Sequence, residues 1–430
     1  MTGGTEIQTL NTVRALVHGG HEVTVACYFE HTPYMIGQFE EAGAKVILFS
    51  PDGNRLGGWR IVPFLYKNLR SVIKAVRPDI VHVQYMTPGA LVILLLWLMG
   101  VKNIIATVHT AADIYKDLRL IHFIQRHCVR AWICITERAE HSFFGSSQLY
   151  SKDMVLGKRN HFTIYNALPF RQQVNCDDSQ VNAPCAVNVA SPRLNAAEQQ
   201  VNSDESQVKS CVAAVKGDGL EGNQSQGDDS PATALRFTSN SVAINLSEAA
   251  PVLGLVSRLE HIKGMDLVVP AFAEVRKRFP DVQLLVVGDG SLRAAMEQQA
   301  MALGCDDAVT WAGRQPQEEL SQYYSRMDIV LMPSRSEGFG LTAIEAMAHG
   351  CVVVASDIGG LPEVVRDGVC GLLHRSEDVK DMAEKICSLI ASPELYRSLQ
   401  KNALQHVQKF SFQRYAELIH NLYSRALKRG

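Results

Sequence analysis

Residues 329–356 read IVLMPSRSEGFGLTAIEAMAHGCVVVAS, and this stretch decides the fold. A short apolar run, IVLM, leads into a turn with two glycines, then a segment of helical spacing and a second apolar run, CVVVAS. Two short runs rich in β-branched residues and joined by a helix are typical of parallel strands in a sheet that is covered by helices. The stretch therefore predicts a strand, a glycine turn, a helix and a parallel strand.

The same alternation extends through both halves of the chain. From Thr5 to about Leu168 the predicted strands are HEVTVACY, AKVILF, DIVHVQY, NIIATVH, AWICIT and FTIYNAL. From Pro251 to about Ile390 they are VLGLVSR, VQLLVVG, VTWAG, IVLMPS, CVVVAS and GLLH. Strands that alternate with helices build parallel sheets with helices on both faces, so we expect an α/β protein with two doubly wound, Rossmann-like domains.

Composition sets the domain boundaries. Residues 1–170 and 251–410 form the predicted N-terminal and C-terminal domains, and residues 411–430 have apolar side chains at helical spacing, which predicts a terminal helix. Between the domains, residues 171–250 are rich in Gln, Asn, Ser, Asp and Ala, with Phe237 as the only aromatic residue. Such a composition cannot build a core, so we expect a disordered insertion or linker there.

Charge and cysteine content exclude several functional classes. A net charge of -2 and a pI near 6.7 provide no general field for nucleic acid. The ten cysteines include no CxxC pair and no Cys/His cluster of metal-binding spacing, so we expect reduced thiols and no metal site. The N-terminus lacks both the basic region and the apolar region that a secretory signal requires. The apolar run Ala90–Met99 is too short to span a bilayer. We therefore expect a cytoplasmic protein.

The sequence SRLEHIKG, residues 257–264, brings two cations to the end of a predicted strand. Arg258 ends the strand, and Lys263 stands just before a helix that we expect Gly264 to open. Ligands of open α/β sheets bind outside the carboxyl ends of the strands, where a helix N-terminus adds N–H donors and partial positive charge. The pattern favours a diphosphate site, although two solvated surface cations would explain the same residues equally well.

Two glutamates in EGFGLTAIE are eight positions apart. A helix that begins near Leu341 places Glu345 about one turn inside it, while Glu337 stays on the loop. The glycines between them, Gly338 and Gly340, let backbone N–H groups approach a ligand. A carboxylate accepts two hydrogen bonds, so one glutamate suits a ribose diol and the other suits sugar hydroxyls. Dipole compensation by Glu337 and a surface position for Glu345 is the alternative interpretation.

The segment VVGDGS, residues 286–291, is similar to a dinucleotide fingerprint but has no third glycine at the required spacing. We therefore do not expect a hydride-transfer enzyme. Gly288 and Gly290 instead predict a tight turn from strand to helix that brings the backbone close to a nucleotide.

Together, SRLEHIKG, VGDGSL, EGFGLTAIE and SDIGGLPEVVRDGVCGLL resemble the C-terminal domain of family 4 glycosyltransferases with the GT-B fold. In the N-terminal half, GGTE, GHEV, PDIVHVQ and TVHT are similar to the acceptor domain of the same family. The resemblance implies a retaining glycosyltransferase that needs no metal or cofactor, moves a hexosyl-type sugar and has a last helix that crosses back to the N-terminal domain.

The resemblance also implies roles for single residues. Arg258 and Lys263 would neutralise the donor diphosphate, Glu345 would hold the ribose, and Glu337 would position the transferred sugar. His109 would face the cleft, although a histidine after a buried strand is often structural. The predicted catalytic residues are His109 and Glu337, and the predicted donor-binding residues are Gly3, Gly4, Arg258, Lys263, Gly288, Gly338, Phe339, Gly340, Leu341 and Glu345.

The resemblance implies a nucleotide-sugar donor, with a UDP-sugar favoured over a GDP-sugar, and a glycan or lipid-linked acceptor. The segment YKNLRSVIKAVR, residues 66–77, carries four cations on one helical stripe, which suits peripheral membrane contact at the inner face and suits ordinary solvated charge equally well. Relatives have a strand before the Gly-Gly loop, and we expect this chain to lack that central strand. A nucleotide-sugar epimerase, which can share the same fold, is one alternative, and the missing strand suggests a second, a non-catalytic nucleotide-binding module.

Overall fold

The computed structural model describes residues 4–29, 31–54, 56–84, 89–111, 117–154, 159–169, 211–216 and 250–427. Two α/β domains in these ranges face each other across a cleft. All twelve strands predicted from the sequence are present, and the two sheets have the Rossmann-like arrangement that the alternation of strands and helices predicts.

The N-terminal domain has a sheet covered by helices on both faces. Its strands are β1 (Glu22–Cys27), β2 (Lys45–Leu48), β3 (Ile80–Gln84), β4 (Ile104–Val108), β5 (Ala131–Cys134) and β6 (His161–Thr163). Its helices are α1 (Gly4–His18), α2 (Pro33–Glu41), α3 (Ile61–Val76), α4 (Gly89–Leu98), α5 (Arg119–His127) and α6 (Glu137–Phe144).

A seventh strand, β7 (Cys211–Lys216), is an interior strand of this sheet, whose order is β2-β1-β7-β3-β4-β5-β6. It pairs antiparallel with β1 on one side and with β3 on the other, whereas the other pairs in the sheet are parallel. The prediction that residues 171–250 form no regular structure is wrong for these six residues. Composition averaged over the whole segment hides the short run CVAAVK, which has the length and apolar content of a strand. The rest of the predicted linker, apart from residue 250, lies outside the described residues.

The position of β7 bears on the expected gap in the sheet. Facing strand edges have backbone N–H and C=O groups that need partners when they are buried. Among the described residues, β7 fills the space between β1 and β3, because it pairs with β1 over all six of its residues and with β3 over residues 211–215.

The C-terminal domain has a fully parallel sheet of order β10-β9-β8-β11-β12-β13. Its strands are β8 (Val252–Val256), β9 (Gln283–Val287), β10 (Val309–Gly313), β11 (Ile329–Met332), β12 (Val352–Ser356) and β13 (Leu372–His374). Its helices are α7 (Val268–Arg276), α8 (Arg293–Ala302), α9 (Leu320–Tyr324), α10 (Leu341–Ala348), α11 (Leu361–Val364), α12 (Val379–Ala391) and α13 (Pro393–His406). The strand order reverses between β8 and β11, which is where open α/β sheets bind ligands.

The last helix, α14 (Phe412–Leu427), packs on α1 of the N-terminal domain. It buries Ile419, Leu422 and Tyr423 there. Burial of a large apolar side chain stabilises by about 1.5 to 3 kcal/mol, so this face holds the helix firmly on the N-terminal domain. The Tyr415 hydroxyl lies 2.7 Å from the Thr12 hydroxyl of α1, which satisfies both buried groups.

The apolar run near Ala90 forms α4, which is buried only on one side. Val92, Ile93 and Leu96 are fully buried, whereas Leu98 is 70% exposed. No helix in the described ranges combines the length and the apolar content required to cross a membrane.

Candidate active site

A cavity of about 460 Å³ lies between the two domains, outside the carboxyl ends of β8 and β11. This volume is typical of small-molecule sites. Gly3 lies outside the described residues. The predicted residues that line the cavity are Gly4, His109, Arg258, Lys263, Glu337, Gly338, Phe339, Gly340, Leu341 and Glu345.

Gly288 was predicted to bind the donor, but it is not among the described residues that line this cavity. Its φ of 134° is in the range that favours glycine, and its N–H donates to the Gly313 carbonyl at 2.8 Å. The turn that follows supports the loop after β8, because Leu259 N–H donates to the Asp289 carbonyl and Ser291 Oγ donates to Glu260 at 2.6 Å. The VVGDGS turn therefore braces the loop that contains Arg258.

Lys263 lies in a 3₁₀ turn, His261–Lys263, that ends at Gly264. Gly264 has a φ of 68°, and a Cβ there would be 1.9 Å from the Pro333 carbonyl oxygen, so glycine is required. A second 3₁₀ turn follows, and α7 begins only at Val268. The prediction that the helix starts at Gly264 is thus wrong, because the left-handed glycine closes a tighter turn first.

Lys263 and Glu337 meet at the cavity wall, with Lys263 Nζ 2.8 Å from Glu337 Oε2. Both side chains are mostly shielded from solvent. Because the two residues come from separate loops, the ion pair joins the loop after β8 to the loop after β11. A phosphate group that enters the cavity can replace the carboxylate as the partner of the ammonium group.

Glu345 is buried inside α10, which begins at Leu341 as predicted and is capped by Gly340 with a φ of 101°. Only 4% of Glu345 is exposed, so the surface position considered for it is excluded. Tyr324 Oη donates to Glu345 Oε2 at 2.9 Å, and Gln317 Nε2 donates to Oε1 at 3.2 Å.

Burial raises the pKa of Glu345 to about 7, and the two hydrogen bonds oppose that rise. Sequence reasoning missed Gln317 and Tyr324, although both follow the predicted strand VTWAG. Gln317 follows the carboxyl end of a predicted strand, which is where open α/β sheets bind ligands, and this position could have identified it as a site residue.

The two domains touch at a glycine beside the cavity. A Cβ on Gly338 would lie 2.4 Å from the backbone oxygen of His109, and its next neighbours also belong to the N-terminal domain. The φ of Gly338 is outside the left-handed region, so close approach rather than backbone conformation requires glycine here.

A second contact between the domains involves Glu363 of α11. Its carboxylate accepts hydrogen bonds from the N–H groups of Glu137 at 2.8 Å and Arg138 at 2.6 Å, the first two residues of α6. Burial raises the pKa of Glu363. The C-terminal domain thus supplies an additional cap for a helix whose own cap, Thr136, already accepts from Ala139 N–H. Sequence reasoning assigned no role to Glu363.

His109 follows β4 and lines the cavity from the N-terminal side. Its Nε2 atom lies 2.9 Å from Gln84 Oε1. Burial lowers the pKa of His109 to about 4, so the imidazole is neutral at physiological pH. No group of three or more His, Cys, Asp or Glu side chains that could hold a metal ion occurs in the ranges that the structure describes.

Two facing Rossmann-like domains with a cleft at the strand ends define the GT-B class, and solved structures share this fold. Anabaena HepE, crystallised in complex with UDP, aligns with 98% of this chain and 96% of its own at a TM-score of 0.65 and 16% identity. Sucrose-phosphate synthase from Thermosynechococcus elongatus aligns with 100% of this chain and 94% of its own at a TM-score of 0.65 and 20% identity.

Sequence families match both halves. Residues 2–144 match the family described as Glycosyltransferase Family 4, and residues 237–406 match Glycosyl transferases group 1. The chain therefore belongs to the family 4 glycosyltransferases of the group 1 type. D-inositol 3-phosphate glycosyltransferase of Segniliparus rotundus is 38% identical over 191 residues, which are 44% of this chain and 42% of that protein. The match thus spans less than half the length of this curated relative.

Proposed function

We propose that this protein transfers a hexosyl sugar from a nucleotide-diphosphate sugar to an acceptor hydroxyl, with retention of anomeric configuration and without a required metal. The observation that carries the proposal is the composition of one cavity: two cations on the loop after β8 and a buried carboxylate on α10 line the same space. A nucleotide sugar has an anionic diphosphate and a neutral ribose diol, which are the groups that such a pair recognises.

The diphosphate binds next to Lys263 and Arg258. Its arrival exchanges the Lys263–Glu337 ion pair for a lysine–phosphate pair and leaves Glu337 to accept hydrogen bonds from the sugar. Arg and Lys then stabilise the charge that develops on the diphosphate as the bond to the sugar breaks. Glu345 accepts from the ribose hydroxyls in its ionised form.

A UDP-sugar is the proposed donor. Anabaena HepE, which shares the fold, was crystallised with UDP and with UDP and glucose, and these ligands support a UDP-hexose. Glu345, Tyr324 and Gln317 would form the ribose end of that site, with Tyr324 and Gln317 orienting the carboxylate.

We further propose that α3 touches an anionic membrane that presents a lipid-linked acceptor. Residues 60–77 contain five cations and no acidic residue. Trp59, just before α3, is 79% exposed, and Tyr66 is 41% exposed. Exposed aromatics beside cations suit the interface of an anionic bilayer. Co-sedimentation with anionic and neutral vesicles at low and high salt tests this contact, and equal recovery from both vesicle types at low salt would contradict it.

A thermal-shift panel of UDP, GDP, ADP and their sugar conjugates tests the donor. A ligand that binds only the folded protein raises its melting temperature. We expect the largest shift with UDP and UDP-sugars. If no nucleotide shifts the melting temperature, the donor site is wrongly assigned.

Product analysis without acceptor separates transfer from epimerisation. We expect slow hydrolysis of the donor and no epimerised nucleotide sugar. An epimerised product would replace the transferase proposal with the epimerase alternative, and binding with neither hydrolysis, transfer nor epimerisation would favour a non-catalytic module.

A further inference from the structure

A line of buried polar side chains extends from His109 into the N-terminal domain. His109 Nε2 lies 2.9 Å from Gln84 Oε1, and Gln84 Nε2 lies 3.3 Å from His82 Nε2. On the far side, His82 Nδ1 lies 2.7 Å from the hydroxyl of Tyr423. Gln84, His82 and Tyr423 are all buried, and none of them lines the cavity described above.

Three separate parts of the chain contribute to this line. His82 and Gln84 are two residues apart on β3, so their side chains lie on the same face of the sheet. His109 directly follows β4, which pairs with β3 at Gln84 and Thr107. Tyr423 comes from α14, the helix that returns from the C-terminal domain. The line therefore connects this helix with the cavity.

The orientation of the Gln84 carboxamide, with its oxygen towards His109 and its nitrogen towards His82, implies where the ring protons lie. A carboxamide oxygen only accepts, so Nε2 of His109 carries the ring proton and donates it to Gln84. A carboxamide nitrogen only donates, so Nε2 of His82 is an acceptor. The Thr107 hydroxyl lies 2.7 Å from that atom and can donate to it. The remaining proton of His82 is therefore on Nδ1, and it is donated to Tyr423.

We propose that Gln84 and His82 are positioning residues that hold His109 as the neutral Nε2–H tautomer. Nδ1 of His109 is then the ring atom left to accept a hydrogen bond from a substrate hydroxyl in the cavity. The second statement rests on the proposed function, whereas the tautomer is a property of the protein alone. Burial supports the neutral forms, because it lowers the pKa of His82 to about 3 and that of His109 to about 4.

A purely structural role does not explain polar residues at these positions. Burying amide, imidazole and hydroxyl groups in the middle of a sheet costs free energy unless each finds a partner, and apolar residues would fill the same space without that requirement. The one member of the line that reaches the cavity is His109. The polar line therefore serves the orientation of that ring.

The tautomer can be read directly by two-bond ¹H–¹⁵N spectra of the full chain labelled at histidine. The chain has fourteen histidines, so the His109 signals are assigned by their loss in His109→Asn. We expect the Nε2–H pattern in the unmodified protein. An Nδ1–H pattern, or a charged ring at pH 7, would overturn the proposal without any assay of activity.

Substitution of Gln84 tests its role as the orienting group. Gln84→Met keeps the size of the side chain and removes the acceptor, so we expect a mixture of tautomers and a roughly 10-fold lower kcat with unchanged UDP affinity, the cost of about one hydrogen bond. Gln84→Glu retains the acceptor towards His109 and removes the donor towards His82, so Nε2 of His109 should stay protonated while the His82 signals change. An unchanged pattern in the Met variant, or its loss in the Glu variant, would contradict the role.

Two tyrosines of α14 provide a matched pair of controls. Tyr423→Phe removes the acceptor of His82 and should shift the His82 signals. Tyr415→Phe breaks a buried hydrogen bond of the same helix, to Thr12, and should leave the signals of His82 and His109 in place. If both variants shift the signals equally, the effect is loosening of the helix and the line is not specific. If the tautomer is as expected but no nucleotide binds, only the proposed function fails.

Discussion

The two walls of the cleft use polar groups in different ways. On the C-terminal wall, Arg258, Lys263, Glu337 and Glu345 bring ionisable groups to the cavity. On the N-terminal wall, the described lining residues carry no charge at neutral pH: they are Gly4, Thr5, Ile7, His109, Thr110, Ile135 and Asn166. Charge suits recognition of an anionic donor, whereas a neutral, oriented wall suits positioning of hydroxyl groups. Substitutions on the C-terminal wall should therefore change donor affinity. Substitutions where the C-terminal wall contacts the N-terminal wall should change kcat.

The largest effect is expected at Lys263. Lys263→Ala removes a charge-assisted hydrogen bond, worth about 1.5 to 3 kcal/mol, so donor affinity should fall roughly 10- to 150-fold. Titration calorimetry with UDP measures it. Lys277→Ala is the control, because Lys277 is exposed and pairs with Glu274, three residues earlier in the chain. Equal UDP affinity in a folded Lys263 variant would remove the diphosphate role.

Gly338→Ala should separate binding from turnover. The added methyl group would collide with the backbone carbonyl of His109 in the N-terminal domain, so the two walls of the cleft could not approach fully. Displacement of reacting groups by about 1 Å lowers the rate roughly 100-fold. UDP affinity should change much less than kcat. Gly37→Ala is the control, since a Cβ there meets open space. A variant with normal kcat would show that this contact is not needed for turnover.

Glu345→Gln tests the carboxylate through both binding and pH. We expect roughly 10-fold weaker UDP binding, because an amide accepts fewer hydrogen bonds than a carboxylate. The folded-state pKa of about 7 lies above the ordinary value of 4.5, so ionisation in the folded state costs free energy. The free energy of unfolding of the native sequence should therefore decrease as pH rises from about 4.5 to 7, and the Gln variant should not show this decrease.

Melting temperatures of the native sequence and of Glu345→Gln at pH 5 and pH 8 test whether the pKa of Glu345 is raised in the folded protein. The Gln variant should gain stability relative to the native sequence at pH 8 and show little difference at pH 5. A stability difference that does not depend on pH would mean that Glu345 is ionised in the unliganded protein at both values.

The smallest effect is expected at Glu363. Glu363→Ala removes a hydrogen-bonding cap that the C-terminal domain supplies to α6. Loss of a helix cap costs about 1 kcal/mol. If the contact forms in the active arrangement of the domains, this cost corresponds to a roughly 5-fold lower kcat. Initial rates at saturating donor measure it. Thr136→Ala removes the cap within the domain and should lower stability more than Glu363→Ala does. An unchanged kcat in the Glu363 variant would place the contact outside the catalytic cycle.

The sequence predicted local structure well because the responsible signals are local. Apolar runs marked all twelve predicted strands, and the glycines of EGFG marked the start of α10 at Leu341. Contacts between distant segments could not be predicted in this way. The Lys263–Glu337 pair, the cap from Glu363 and the line behind His109 each join residues whose separation in the chain carries no pattern. The strand β7 was missed because a short apolar run was averaged with its polar surroundings.

The origin of β7 has a consequence for how the protein folds. Cys27 of β1 and Gln84 of β3 both pair with Cys211, so the centre of the sheet closes only after residue 211 has been synthesised. Without β7, the facing edges of β1 and β3 would have no partner strand, and open strand edges are sites of intermolecular pairing. Contacts over such long chain separations also slow folding. During synthesis, the sheet of the N-terminal domain therefore cannot be completed before β7 has been made.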